Sequence, residues 1–169
     1  MNQKIKTAKN ITLIKGIIVN FITVAILTSG IGFMTYICKR PTTEIIRNTV
    51  TFLWGCLVVS FLWYQSLVQD NLEYDNKKHP FRFLVVFIIC YLVSMGMVFA
   101  PSSMWVFLAI MVVLSMFSNS VIGLTGGSIL LIMTSLLSNS SNMYIFYMYF
   151  MIGLLGISYF RNLGLDFQK

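Results

Sequence analysis

Charge is scarce in this 169-residue chain, which has five acidic residues, twelve basic residues and one histidine, with only three prolines and three cysteines. Soluble domains carry roughly a quarter of their residues as Asp, Glu, Lys or Arg, so a charged fraction of 10% excludes an ordinary cytosolic domain. Disorder is excluded as well, because 57% of the residues are hydrophobic and disordered chains are poor in apolar residues. The acids Glu44, Asp70, Glu73, Asp75 and Asp166 all lie outside the long apolar runs, which excludes an aspartyl protease working inside a bilayer. A serine protease there needs a base beside its nucleophile, and His79 sits in a loop before Pro80. The sequence contains no His-Glu-x-x-His, no phosphate-binding Gly-x-x-x-x-Gly-Lys and no strand-associated Gly-x-Gly-x-x-Gly. The expectation is a protein that is not an enzyme and has no catalytic residue, no metal ligand and no cofactor.

Cys38, Cys56 and Cys90 form no Cys-x-x-Cys, and the last two fall in apolar runs where a thiol behaves as a small hydrophobe; disulfides are not implied. No Asp, Glu, Lys, Arg or His interrupts those runs, so a self-sufficient proton-coupled transporter is not expected. Asp70 to Asp75 with His79 match no established metal-ligand spacing, and Lys77 and Lys78 compete for the acids. Asn10-Ile-Thr12 and Asn139-Ser-Ser141 match the glycosylation pattern, but the first is expected on the cytoplasmic side and the second in a short loop close to the bilayer.

The charges that are present gather in four clusters, Lys4 to Lys15, Lys39 to Arg47, Asp70 to Arg82 and Arg161 to Lys169. About 20 apolar residues cross roughly 30 Å of hydrocarbon as a helix, so the first two intervening runs each read as one span. The long run from Phe83 to Phe160 is broken at Pro101-Ser102-Ser103, Ser118-Asn119-Ser120 and Ser138 to Asn142. This gives six candidate spans, at 16–38, 48–68, 83–100, 102–117, 121–137 and 143–160. The fold class expected is all-α, a polytopic helical membrane bundle forming a single domain over residues 1–169. Gly126-Gly127 offers a competing break that would make the segment after it re-entrant.

Basic residues favour cytoplasmic loops. With both termini inside, Lys4, Lys6, Lys9, Lys15, Lys77, Lys78, Arg82, Arg161 and Lys169 face the cytoplasm against Lys39, Arg40 and Arg47 outside. Residues 42–48 are an expected short helix in the headgroup region. The net charge of +7 flanks apolar spans, so its partners are lipid headgroups rather than nucleic acid. The first apolar run exceeds the usual signal-peptide core and shows no clear small-x-small cleavage site, so it reads as an uncleaved helix. The localisation expected is the cell membrane, as a multi-pass protein of a bacterial cytoplasmic membrane.

Gly123 and Gly127 stand four apart on one helical face, and Gly153 and Gly156 do similar work in the last segment. Small residues let helices approach closely in lipid, either within this chain or against a partner protein. Asn20, Thr23, Thr28, Gln65, Ser94, Ser115, Asn119 and Thr125 either bond neighbouring helices or line a path for a small neutral solute. Asn119, Thr125 and Tyr147 are the candidates for contact with a solute or partner. Trp54, Trp63, Trp105 and Tyr144 lie near span ends, the position of an aromatic belt. Tyr144, Tyr147, Met148 and Met151 share one face of the last segment, suited to interface anchoring or to an apolar ligand.

A proline-led helix, the break at Ser118-Asn119-Ser120, a glycine-containing helix at 123–137 and a last helix ending at Arg161 succeed one another over residues 101–162. This order resembles the membrane half of bacterial seven-helix receptors that carry a cytoplasmic HD phosphohydrolase domain. The sequence given ends at Lys169 without that domain, so the resemblance implies a sensing or scaffolding module and no phosphohydrolase. In architecture alone, six short helices with both ends inside are similar to the solute-binding subunits of energy-coupling-factor vitamin transporters. The functional expectation is a non-catalytic scaffold or sensor subunit working with a membrane or cytoplasmic partner protein. Its rival is a solute-binding subunit energised by a separate ATPase.

Overall fold

The computed structural model describes the backbone at residues 2–69, 72, 81–99, 106–138, 147–148 and 150–158, and side chains from Gly16 on within those ranges apart from 106–108. Among the described residues the regular structure is all helix: α1 (Asn2–Ile37), α2 (Thr42–Val68), α3 (Arg82–Met97), α4 (Val106–Met116), α5 (Ser120–Leu137) and a helical stretch at 150–158, here α6. Three of these are long and apolar enough to cross a membrane, namely Gly16–Ile37, Thr42–Val68 and Ser120–Leu137. At 1.5 Å per residue the 11 residues of α4 extend only about 16 Å.

The joint between α1 and α2 is built from local chemistry. Lys39 takes the left-handed conformation at φ 54°, which lets Lys39 N–H donate to Tyr36 O at 2.9 Å and Arg40 N–H donate to Thr35 O at 3.3 Å. That is a Schellman ending with lysine where glycine is usual. Pro41, extended at φ −61° and ψ 152°, then opens α2, its ring fixing φ while its own missing N–H costs a helix start nothing. The segment 42–48 was expected as a separate headgroup helix. It forms the first two turns of α2, because nothing between Thr42 and Val68 breaks the backbone bonding.

α5 likewise runs unbroken through Gly126-Gly127. The two glycines are packed rather than loose: a Cβ at Gly126 would meet Phe87 Cε2 at 3.2 Å, and one at Gly127 would collide with Met111. The re-entrant break is therefore not taken here.

Helix directions are set by the paired residues. Gly32 meets Thr49 and Asn20 meets Ser60, so α1 and α2 are antiparallel. Gly55 meets Ile129 and Ser66 meets Asn119, so α2 and α5 are antiparallel, while Phe87 with Gly126 and Ser94 with Thr134 make α3 and α5 parallel. Gly123 with Ser115 and Gly127 with Met111 set α4 against α5. From α1 to α5 the chain thus reverses at each connection, the arrangement of an up-and-down bundle.

The core sits among α1, α2, α3, α4 and α5, with Ile31, Phe52, Phe83, Met111, Leu114, Ile122, Leu130 and Leu131 fully buried. The outer faces are equally apolar, with Phe21, Ile26 and Phe33 on α1 and Trp54, Val58 and Phe61 on α2 exposed. A surface of that kind suits a lipid environment, in which backbone groups must be satisfied within each helix.

Candidate functional site

Most hydroxyls in the bundle are spent on their own helices. Thr28 Oγ1 donates to Val24 O at 2.7 Å, Ser94 Oγ to Cys90 O at 2.7 Å, Ser115 Oγ to Val112 O at 2.7 Å and Thr125 Oγ1 to Val121 O at 2.8 Å. Such back-bonding satisfies a hydroxyl where no water is at hand. Thr125 is half-buried and Gln65 is exposed, so the polar residues considered from sequence do not converge on one path.

A smaller set ties helices together. Asn119 caps α5, its Oδ1 accepting from Ile122 N–H at 2.9 Å, while its Nδ2 donates to Ser66 Oγ on α2 at 2.9 Å. The cap explains why an asparagine stands at the break before α5. Tyr91 of α3 donates its hydroxyl to Leu27 O on α1 at 3.1 Å, and reaches that carbonyl across Gly30, where any side chain would occupy the hydroxyl's place. Arg40 donates from Nη2 to Leu137 O at 3.4 Å and sits 3.8 Å from Glu44, which Arg47 also approaches at 3.9 Å.

The glycines expected to pack do so inside the chain. A Cβ on Gly123 would stand 2.5 Å from Ser115 Cα, and Gly127 and Gly153 both close upon the Met111 side chain. Gly156 is looser, with Val112 Cγ2 at 3.4 Å. Gly123 and Gly127 are therefore occupied by α4 and do not form an open face.

Trp54 is exposed on α2 and Tyr147 is exposed in a helical stretch. Trp105 and Tyr144 lie outside the described residues, as do most of the Asp70 to His79 segment and the Asn139-Ser-Ser141 match, whereas the backbone of Asn10-Ile-Thr12 belongs to α1. Trp63 departs from its expected place in an aromatic belt. It is 2% exposed, with its indole stacked on Phe83 at a centroid separation of 6.4 Å and an interplanar angle of 23°. Its position near a span end suggested the belt; the helix phase, which turns residues 52, 56, 59, 63 and 66 inward together, decides otherwise.

Trp63 lines a cleft between α1, α2 and α3, together with Asn20, Thr23 and Ser60 and an apolar floor that includes Cys56 and Phe87. The cleft has a volume of about 10 Å³. Ser60 Oγ donates to Asn20 Oδ1 across it at 3.3 Å. Trp63 Nε1–H meets no acceptor among the described residues, and neither end of the Asn48 amide, which is 1% exposed, meets a partner there. A buried polar group left unpaired costs about 1–3 kcal/mol, so among the described residues these are two electrostatically unsettled points of the bundle. Sequence reasoning named Asn20 and Thr23 but missed Ser60 and Asn48; a polar residue at the edge of an apolar run was the available signal for the latter.

Among the described residues no three His, Cys, Asp or Glu side chains gather in a way that could hold a metal ion. The chain matches no protein-family model, no curated protein and no solved structure.

Proposed function

We propose that the chain is a multi-pass protein of a cell membrane, the bacterial cytoplasmic membrane being the one its charge pattern fits, with six spans and both termini cytoplasmic. In this reading it is a non-catalytic scaffold or sensor subunit that works through a partner membrane or cytoplasmic protein. The observation that carries the reading is the use made of the polar groups: Asn119, Ser66, Tyr91 and Thr134 bind helix to helix or helix to its own backbone, leaving little for chemistry. Helices that reverse direction at each connection support the alternating crossings. The resemblance of residues 101–162 to the membrane half of HD-domain receptors leads to the same class of role. Crosslinking in the native membrane followed by mass spectrometry tests it, with a reproducible partner protein as the expected result. A stable lone monomer with intrinsic turnover would contradict it. Topology is tested separately by labelling Asp166→Cys, which is expected to react only from the cytoplasmic side.

The second reading, a solute-binding subunit energised by a separate ATPase, draws on the polar cleft at Asn20, Ser60 and Trp63. A volume of about 10 Å³ corresponds to about one water molecule, which places this reading behind the first. A thermal-shift screen of small neutral metabolites decides between them: a saturable shift abolished by Asn20→Leu favours the solute subunit, and no shift across the screen favours the scaffold.

A further inference from the structure

The cleft between α1, α2 and α3 holds chemistry that helix packing leaves unused, and that chemistry is independent of the scaffold reading. The Trp63 indole lines the cleft, is 2% exposed, and its Nε1–H meets no acceptor among the described residues. An indole nitrogen donates and does not accept, so whatever answers it must present a lone pair. Ser60 Oγ and Asn20 Oδ1 lie 3.3 Å apart on the same cleft, and an asparagine amide has further donors and lone pairs beyond that one bond. Among the described residues no Asp, Glu, Lys, Arg or His lines the space, which selects against a charged ligand, because an ion in an apolar surround without a counter-charge is strongly disfavoured. The volume of about 10 Å³ is about that of one water-sized group. Position adds to this: Asn20 is near the start of the apolar part of α1, Trp63 near the end of α2 and Phe83 near the start of α3. All three therefore lie toward the same end of the bundle, where an apolar helix would meet the bilayer interface.

We infer that this cleft binds one uncharged, hydrogen-bond-accepting oxygen, held by the Trp63 Nε1–H and shared with Asn20 and Ser60. Two sources supply such an oxygen at a membrane interface, a water molecule or the ester carbonyl of a lipid. A water satisfies the indole and bridges α1 to α2 through two further bonds, within the two to four polar partners that buried waters use. A lipid carbonyl satisfies the same indole with its oxygen alone in the cleft, its acyl chain lying outside along the exposed apolar helix faces.

The test uses the full chain, labelled with 15N-tryptophan, in nanodiscs of ester-linked and of ether-linked lipid. Trp63→Phe identifies the Trp63 indole resonance by its loss. Cross-relaxation between that indole proton and water in both lipids supports the site with water as the source. Cross-peaks to lipid, with a resonance that moves when ester is exchanged for ether, support the site with the lipid carbonyl as the source. Asn20→Val is expected to move the indole proton upfield as one partner of the bound oxygen is lost, whereas Asn119→Ala, which alters the α2–α5 contact instead, is expected to leave it in place. An indole proton in contact with neither water nor lipid in the unmodified protein overturns the proposal. So does an equal displacement in Asn20→Val and Asn119→Ala, which would report loosened packing rather than a site.

Discussion

Gly123 of α5 lies directly upon the backbone of Ser115 in α4, so close that a Cβ on the glycine would stand 2.5 Å from Ser115 Cα and 2.6 Å from Ser115 Cβ. Backbone cannot swing aside as a long side chain can, so even alanine forces the two helices apart. Gly123→Ala is expected to lower stability by about 1–3 kcal/mol, the range of an overpacked core. Thermal or denaturant unfolding in detergent measures it. Gly96, which has nothing within 4 Å of a Cβ, is the control: Gly96→Ala is expected to be neutral or stabilising by up to about 1 kcal/mol through helix propensity. Equal effects at the two positions would refute the close α4–α5 approach.

Asn119 holds two bonds whose contributions separate. Asn119→Ala removes the α5 cap, worth about 0.5–2 kcal/mol, and also the bond to Ser66. A double-mutant cycle with Ser66→Ala isolates the second, and a coupling of about 0.6–1.7 kcal/mol is expected for an interhelical bond in a membrane protein. Zero coupling would mean that the two side chains are not bonded.

Lys39 occupies a backbone conformation that costs a residue with a Cβ roughly 1–2 kcal/mol and costs glycine little. Lys39→Gly is expected to stabilise the α1–α2 joint by about 1 kcal/mol, seen as a raised Tm. A lowered Tm would show that the lysine side chain contributes more than its backbone conformation costs.

Asn48 is the sharpest single-residue test of the interior. An amide buried at 1% exposure with no partner among the described residues carries a penalty that leucine, with the same branched outline, does not. Asn48→Leu is expected to raise stability by about 1–3 kcal/mol. Destabilisation of that size would show that the amide is hydrogen-bonded to a group outside the described residues.

The helices were legible where the chain advertises their ends. Pro41, Asn119 and the serine-rich break at Ser138 to Asn142 are polar or φ-restricting residues between apolar runs, and α2 and α5 begin or end beside them. Helix phase was not legible. Phe52 is 0% exposed and Phe61 65% exposed on the same helix, yet both are phenylalanines in apolar surroundings. In a soluble helix the outer face is polar and betrays the inner one, but a face turned to lipid is as apolar as a core. For that reason neither the burial of Trp63 nor the contacts of Gly30 with Tyr91 and of Gly55 with Ile129 can be read from the apolar pattern. The Gly123 and Gly127 pair was readable because closeness in lipid demands small residues at fixed spacing, but the partner, Ser115 and Met111 of the preceding helix, was not.

Met111 is wholly buried and lies where two glycines, Gly127 on α5 and Gly153 on α6, give way to it. Positions 111, 127 and 153 therefore share one fixed volume, divided among three helices. In sequences descended from a common ancestor with this one, the three should drift as a group: a methyl gained at 127 or 153 is admissible where 111 has shrunk, and a longer residue at 111 persists only while both glycines do. A single exchange at any of the three starts a search for its compensating partner, so this triple records ancestry more durably than the exposed apolar faces, where one large hydrophobe replaces another without consequence.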